Sequence, residues 1–313
     1  MNDHRKTVSA AVVVLLAVGA LAASLFTGTK NETNSDRTVS ATIFPLYDIV
    51  RNVAGESLTV ALLLPPGASP HTYEPTPSII RQVNSSAAVY ALGHGVDAWA
   101  ETLAASANRP VMVVDGGITL RTTEDDEQES GHDEKDEHGH DHDESDGTDP
   151  HYWLTIPNAE RIAENVAADL SVRFPELSPE FEANLKSYRS ELQQADVRMR
   201  EIMQQVGNRQ IVTLHDAWYY FAEEYGLTIV GSFVPAPGRE PTPQYLMGLG
   251  DAVDRADTKT LFSEPQLSTE ALEPFLRDHD LTVATLDPLG GTGSRLSYID
   301  NMIANAETIA ENQ

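Results

Sequence analysis

Three histidines in this 313-residue chain sit where metal chemistry would want them. His71 ends the loop Pro65-Pro66-Gly67-Ala68-Ser69-Pro70, which follows the apolar run Leu58 to Leu64 and is too rich in proline and glycine to continue a strand. His151 stands in Asp149-Pro150-His151-Tyr152-Trp153, and His215 in Thr213-Leu214-His215-Asp216-Ala217-Trp218. Each lies just beyond or near the end of a predicted strand, in loops that could face one cleft. Neutral imidazole is the commonest zinc ligand, and three of them leave one tetrahedral position for water or a carboxylate. Taken singly, each also fits an ordinary hydrogen-bonded histidine, because ligands so far apart in sequence carry no spacing signature. Glu264, in Ser263-Glu264-Pro265-Gln266 at another strand end, can either fix a histidine tautomer or serve the structure alone.

Four further histidines, His132, His138, His140 and His142, lie among carboxylates. Such a segment could bind several divalent ions weakly, or it could be a solvated acidic insertion and nothing more. His94, in Gly93-His94-Gly95, and His279, in Arg277-Asp278-His279-Asp280, read as a loop residue and an exposed helix-end residue.

The elements that must position these groups alternate. β-rich runs at Val39 to Ile43, Leu58 to Leu64, Ala87 to Leu92 and Pro110 to Val114 are interleaved with helical patterns from Pro45, after Pro77 and around Asp97 to Ala105. That alternation is the mark of a parallel sheet with crossover helices, and ligands of open α/β sheets bind beyond the carboxyl ends of the strands. Residues 116–149 are too poor in apolar side chains to offset their ordering entropy and are expected to be disordered. Two helices follow, Pro157 to Phe174 and Pro179 to Val206. In the second, Phe181, Leu185, Tyr188, Leu192 and Ala195 recur at helical spacing, and its length of roughly 40 Å could run along two lobes. A fresh βα series begins at Gln210 to Leu214, with strands near Thr228 to Gly231, Thr260 to Ser263 and Thr282 to Thr285. The expected organisation is an N-terminal segment over 1–37, a first lobe over 38–177, a linking helix over 178–206 and a second lobe over 207–313.

Composition narrows the partners. The formal charge of −27 would repel a phosphate backbone, so nucleic acid is excluded. Fourteen of the acidic residues fall between Glu124 and Asp149. With no cysteine, neither a disulfide nor a thiolate metal site is available. At the N-terminus Arg5 and Lys6 precede an apolar stretch from Val8 to Phe26, and Ala20-Leu21-Ala22 offers small residues for a signal peptidase, so export is expected. About twenty apolar residues can also stay as a bilayer anchor. Leu21-Ala22-Ala23-Ser24 resembles a lipoprotein cleavage box with Ser24 in the place of the lipid-bearing cysteine, which excludes lipid there.

The chain has no H-E-x-x-H and no G-x-S-x-G motif, and Gly290-Gly291-Thr292-Gly293 lacks the lysine of a phosphate loop, so it does not read as an enzyme.

The runs Pro66-Gly67-Ala68-Ser69-Pro70-His71-Thr72-Tyr73-Glu74, Asp149-Pro150-His151-Tyr152-Trp153, Leu214-His215-Asp216-Ala217-Trp218-Tyr219-Tyr220-Phe221 and Leu286-Asp287-Pro288-Leu289-Gly290 resemble, in order, the metal-binding solute receptors of zinc and manganese ABC importers (cluster A-I, TroA-like). The similarity covers nearly the whole chain from Thr38. It implies two α/β lobes with mostly parallel sheets joined by one rigid backbone helix, a metal held between them, a monomer, and delivery to the membrane permease subunits of an ABC importer. It places the first three ligands on His71, His151 and His215 and the fourth on Asp287, with Glu74 as the other carboxylate candidate for that position. Relatives preferring manganese usually carry a carboxylate at the third position, so His215 points to Zn²⁺ over Mn²⁺. A charged, histidine-rich loop at this place is likewise a trait of the zinc receptors. Some receptors of this kind also act as surface adhesins.

Overall fold

The computed structural model describes residues 37–122, 147–234 and 241–313. The apolar N-terminal segment and the histidines between 132 and 142 lie outside these residues, and so does the question of disorder over 123–146. Among the described residues no helix is long and apolar enough to cross a membrane.

The first lobe holds β1 (Thr38–Ala41), β2 (Thr59–Leu62), β3 (Val89–Ala91) and β4 (Val111–Val113) in the order β2-β1-β3-β4, every pair parallel. Between them run α1 (Phe44–Ala54), α2 (Pro77–Asn84) and α3 (Ala98–Ser106). Each parallel pair needs a crossover, and the helices supply it while covering the sheet. Alternation in the short strands serves two cores: Ala88 and Tyr90 face the main one, while Val89 turns to a smaller cluster with Ile79, Val83 and Ala100.

Two helices follow in close sequence, α4 (Ile156–Arg173) and the 26-residue α5 (Ser178–Met203). At 1.5 Å per residue α5 is about 39 Å long. It buries Phe181, Tyr188, Leu192, Ala195, Met199 and Met203, one per turn or nearly so. Near its start Asn184 Nδ2 donates to the Val53 carbonyl of α1 at 3.1 Å, and near its end Arg200 pairs with Glu224 of the second lobe. One helix therefore runs along both lobes.

The second lobe repeats the scheme. β5 (Gln210–His215), β6 (Thr228–Val234), β7 (Thr260–Ser263) and β8 (Thr282–Thr285) form an all-parallel sheet ordered β6-β5-β7-β8, connected through α6 (Tyr219–Tyr225), α7 (Pro243–Ala256) and α8 (Glu273–Asp278). The chain ends in α9 (Tyr298–Asn312), entered through Gly290 and Gly291. Both glycines have left-handed φ, and a Cβ on Gly291 would strike the Phe44 ring at 2.7 Å.

α9 ties the lobes a second time. The Tyr298 amide donates to Asp48 Oδ2 of α1 at 2.9 Å, and its hydroxyl donates to the carbonyls of Trp153 and Thr155 at 2.6 and 3.1 Å. Trp153, Trp218, Phe221, Phe262 and Met302 belong to one continuous core that spans both sheets. Removing the hydroxyl leaves the buried Trp153 carbonyl short of a donor, while the Thr155 carbonyl keeps the Ala159 amide, so Tyr298→Phe is expected to lower the unfolding free energy by about 1–3 kcal/mol. The check is a lowered urea midpoint in the metal-free protein with unchanged metal stoichiometry.

The acidic run is structured at both ends. Asn165 holds the carbonyls of Val114 and Gly116, the Asp149 amide donates to the Arg121 carbonyl at 3.0 Å, and Thr122 bridges Thr148 in antiparallel fashion. The expectation of disorder from 116 to 149 is thus too wide at each edge. Backbone pairing and side-chain donors order these residues although few apolar groups are buried there.

Candidate metal centre

Each of the three histidines is brought to the cleft by a different piece of backbone. His71 lies on a single 3-10 turn, Pro70–Thr72, that the proline-rich loop delivers after β2. His151 immediately precedes the turn Tyr152–Leu154, whose three side chains are anchored in the core. His215 is the last residue of β5, so it belongs to the strand end itself rather than to the loop beyond it.

The imidazoles meet. Ring centroids are 5.4 Å apart for His71 and His151, 5.3 Å for His71 and His215, and 5.1 Å for His151 and His215. One nitrogen from each lies within 4.8 Å of the others. The Nε2 atoms of His71 and His151 stand 3.3 Å apart. With Zn–N distances near 2.0–2.1 Å, the edge of a ligand tetrahedron is about 3.3–3.4 Å, so this pair already has the spacing of two ligands. His151 and His215 are each 5% exposed.

Carboxylates set the electronics of the rings. His151 Nδ1 is 2.8 Å from Asp149 Oδ1, which also accepts the His151 amide at 2.9 Å. The proton between ring and carboxylate belongs on Nδ1, which leaves the Nε2 lone pair turned to the other histidines. Glu264 Oε2 lies 3.4 Å from His215 Nδ1, while its Oε1 accepts from Trp218 Nε1 at 3.0 Å. Asp216 Oδ1 stands 3.2 Å from His215 Nε2. Burial, aided by the two neighbouring imidazoles, pushes the His71 pKa down to about 3. Burial acts on His215 in the same direction, but Glu264, with Asp216 and Asp149 behind it, outweighs burial and holds that ring above its usual value.

The other expected residues are placed differently. Glu264 lines the cleft as a partner of His215. Asp287 is buried at 3% exposure, but its Oδ1 accepts from Gln266 Nε2 and from the Leu289 amide, each at 3.0 Å, and it is outside the group of converging metal-ligating atoms. Glu74 is exposed and not among the cleft residues. His94 pairs with Asp115 at 2.9 Å and His279 with Asp254 at 3.1 Å, both away from the cleft. The mouth is apolar, with Pro70, Trp153, Val234, Leu267 and Leu289 around the imidazoles.

Sequence reasoning passed over Asp149, Asp216 and Gln266. Asp149 had a legible signal, since an aspartate two residues before a ligand can reach both the amide and the ring of that residue. It is braced further by the Tyr220 hydroxyl, which donates to the Asp149 carbonyl at 3.0 Å and accepts the Arg121 amide at 2.8 Å. Asp149→Ala is expected to weaken metal binding about 10–100-fold, the usual cost of losing a group that orients a ligand. Competition with a chromogenic chelator would read this, and an unchanged dissociation constant would count against it.

Residues 39–312 match the model of a protein family described as the periplasmic zinc-uptake complex component A, ZnuA. The manganese-binding lipoprotein MntA of Halalkalibacterium halodurans is 28% identical over 303 residues, which is 95% of this chain and 94% of that one. The zinc-binding lipoprotein AdcA of Streptococcus pneumoniae is 26% identical over 307 residues, but the match covers only 60% of AdcA's own length. A crystal structure of ZnuA superposes with a TM-score of 0.74 at 26% identity, covering 88% of this chain and 98% of that one.

Proposed function

The chain belongs to the ZnuA family of periplasmic metal-binding components, which are receptors and not enzymes, and from that premise we propose that it captures Zn²⁺ outside the cytoplasm and delivers it to the permease of an ABC importer. The observation that carries the choice of metal is the ligand set. Among the described residues three imidazole nitrogens converge and no carboxylate oxygen lies close to all three, Asp216 Oδ1 standing against His215 alone. Imidazole suits Zn²⁺, whereas carboxylate and water oxygens suit Mn²⁺. His71, His151 and His215 are the ligands in this reading, and the fourth position falls to water or to a carboxylate such as Asp287.

Manganese is the second reading, and the likeness to MntA over nearly both full lengths favours it. Export fits relatives named as lipoproteins and a family described as periplasmic, with the apolar N-terminal segment as signal or anchor. His132, His138, His140 and His142 would gather zinc loosely without being the tight site.

Calorimetric titration of the metal-free protein from Thr38 onward with Zn²⁺ and with Mn²⁺ separates the readings. One tight zinc site with weak manganese binding supports the zinc receptor. Tight manganese binding at that site would replace zinc by manganese.

A further inference from the structure

A phenol from the second lobe is wedged into the backbone pair that carries Asp149. The Asp149 amide donates to the Arg121 carbonyl at 3.0 Å, one step along from the antiparallel bridge between Thr122 and Thr148. In a regular antiparallel ladder the Arg121 amide would return the bond to the Asp149 carbonyl. Here the Tyr220 hydroxyl is interposed instead, accepting the Arg121 amide at 2.8 Å and donating to the Asp149 carbonyl at 3.0 Å. Burial pushes the Tyr220 pKa up to about 12, so the phenol keeps the proton it donates.

Both ends of this junction lead to a histidine of the cleft. Tyr220 is on α6, five residues beyond His215 and separated from it only by the turn Asp216–Trp218. Asp149 stands two residues before His151, and its Oδ1 holds the amide and the Nδ1 of that residue at 2.9 and 2.8 Å. Arg121 leans on the same helix, with its guanidinium 3.3 Å from Glu223 and 5.1 Å from the centre of the Tyr219 ring. Glu223 is largely exposed, so that ion pair is weak, whereas Tyr220 is only 5% exposed and its two hydrogen bonds carry the junction.

Three ligands delivered by separate pieces of backbone bind a cation only while they are in register, and a site whose competent form is partly populated loses affinity in proportion. Resting on the three-histidine reading, we propose that Tyr220 is a positioning residue for capture, its hydroxyl fixing the Asp149 backbone, and with it His151, against the strand end that carries His215. It touches no cation and acts before one arrives.

The test compares Tyr220→Phe with Tyr225→Phe, which removes another buried hydroxyl of α6, one bonded to Asp196 of α5 and away from the cleft. Zinc affinity is read by chelator competition, and the His151 Nδ1–H resonance is followed in the metal-free protein. Tyr220→Phe is expected to raise the zinc dissociation constant about threefold to tenfold, the worth of one hydrogen bond, and to broaden that resonance. Tyr225→Phe should lower the metal-free melting temperature and leave both readouts as they were. Combined with Asp149→Ala, Tyr220→Phe should add no further loss, because the hydroxyl works through that aspartate. Wild-type affinity or a sharp resonance in Tyr220→Phe overturns the proposal. So do equal effects from Tyr225→Phe, which would mean general loosening of α6, and losses that multiply in the double variant, which would mean another route. Failure of the three-histidine reading looks different, since His151→Ala and His215→Ala would then leave zinc affinity untouched.

Discussion

Replacing His215 by alanine is expected to lower zinc affinity on the order of a hundred- to a thousandfold while the metal-free protein still folds. Structural zinc sites with four protein ligands are worth about 10–16 kcal/mol, so one ligand of four carries roughly 3–4 kcal/mol, and 1.4 kcal/mol is a factor of ten. Water can replace the lost nitrogen, which places the loss toward the lower part of that range. The fold should survive because His215 contributes to β5 through its backbone, and the strand is fixed by Val212 and Leu214 in one core and Ile211 in the other. Deletion of residues 124–147 is the contrasting variant. It removes His132, His138, His140 and His142 but leaves the neck at Thr122 and Thr148, so the tight site should persist, with fewer weak heats in the titration. Exchanging His215 for glutamate should move preference from zinc toward manganese by supplying an oxygen ligand. Zinc binding that vanishes with the loop and ignores His215 would place the site elsewhere.

Much of the scaffold was legible in the sequence because parallel strands read as short β-branched and apolar runs, even at the more exposed edge strand β8. Thr260 to Ser263 and Thr282 to Thr285 are strands at the expected residues, and α4 and α5 begin within a residue of the prolines that announce them. The ends of the acidic run were not legible. Their order comes from Asn165 and Tyr220, partners 49 and 99 residues away, and no local composition announces a partner so distant. For the same reason the second tie between the lobes was hidden. Tyr298 looks like any aromatic residue at a helix start, and only the fold sets its hydroxyl against Trp153 and Thr155.

The centre itself divides along the same line. His71, His151 and His215 were singled out by residue type and by position at strand ends, and resemblance gave them roles. What the sequence left out was the side chains that hold them. Gln266 is two residues past Glu264 and 21 before Asp287, a spacing that carries no code, and its bond to Asp287 and its place in the cleft lining appear only in the fold. Glu264 was singled out at the strand end either to fix a histidine or to serve the structure alone, and it stands beside His215.

Zinc affinity is expected to fall about tenfold for each pH unit below the pKa of His215, because one proton must leave that ring for every cation bound. The sign follows from the two shifted histidines. His71 is pushed down to about 3, so it is neutral at any pH of interest and releases no proton on binding. His215 is burdened by burial, which favours its neutral form, yet Glu264, Asp216 and Asp149 more than reverse this and hold its pKa above the ordinary 6.5. Proton competition at His215 therefore sets in at higher pH than at a site of ordinary imidazoles, which weakens around 6.5, and deepens as the solution turns acidic. Chelator competition between pH 8.5 and 5.5 reads the slope. Glu264→Gln removes the leading cause of the raised pKa, so the onset of the fall should move to lower pH even if the affinity at pH 8.5 is poorer. Removing the imidazole with His215→Ala should flatten the profile by about one proton. A slope that His215→Ala leaves unchanged would mean that the competing proton sits on another ligand, and that Glu264 works on the stability of β7 rather than on the metal.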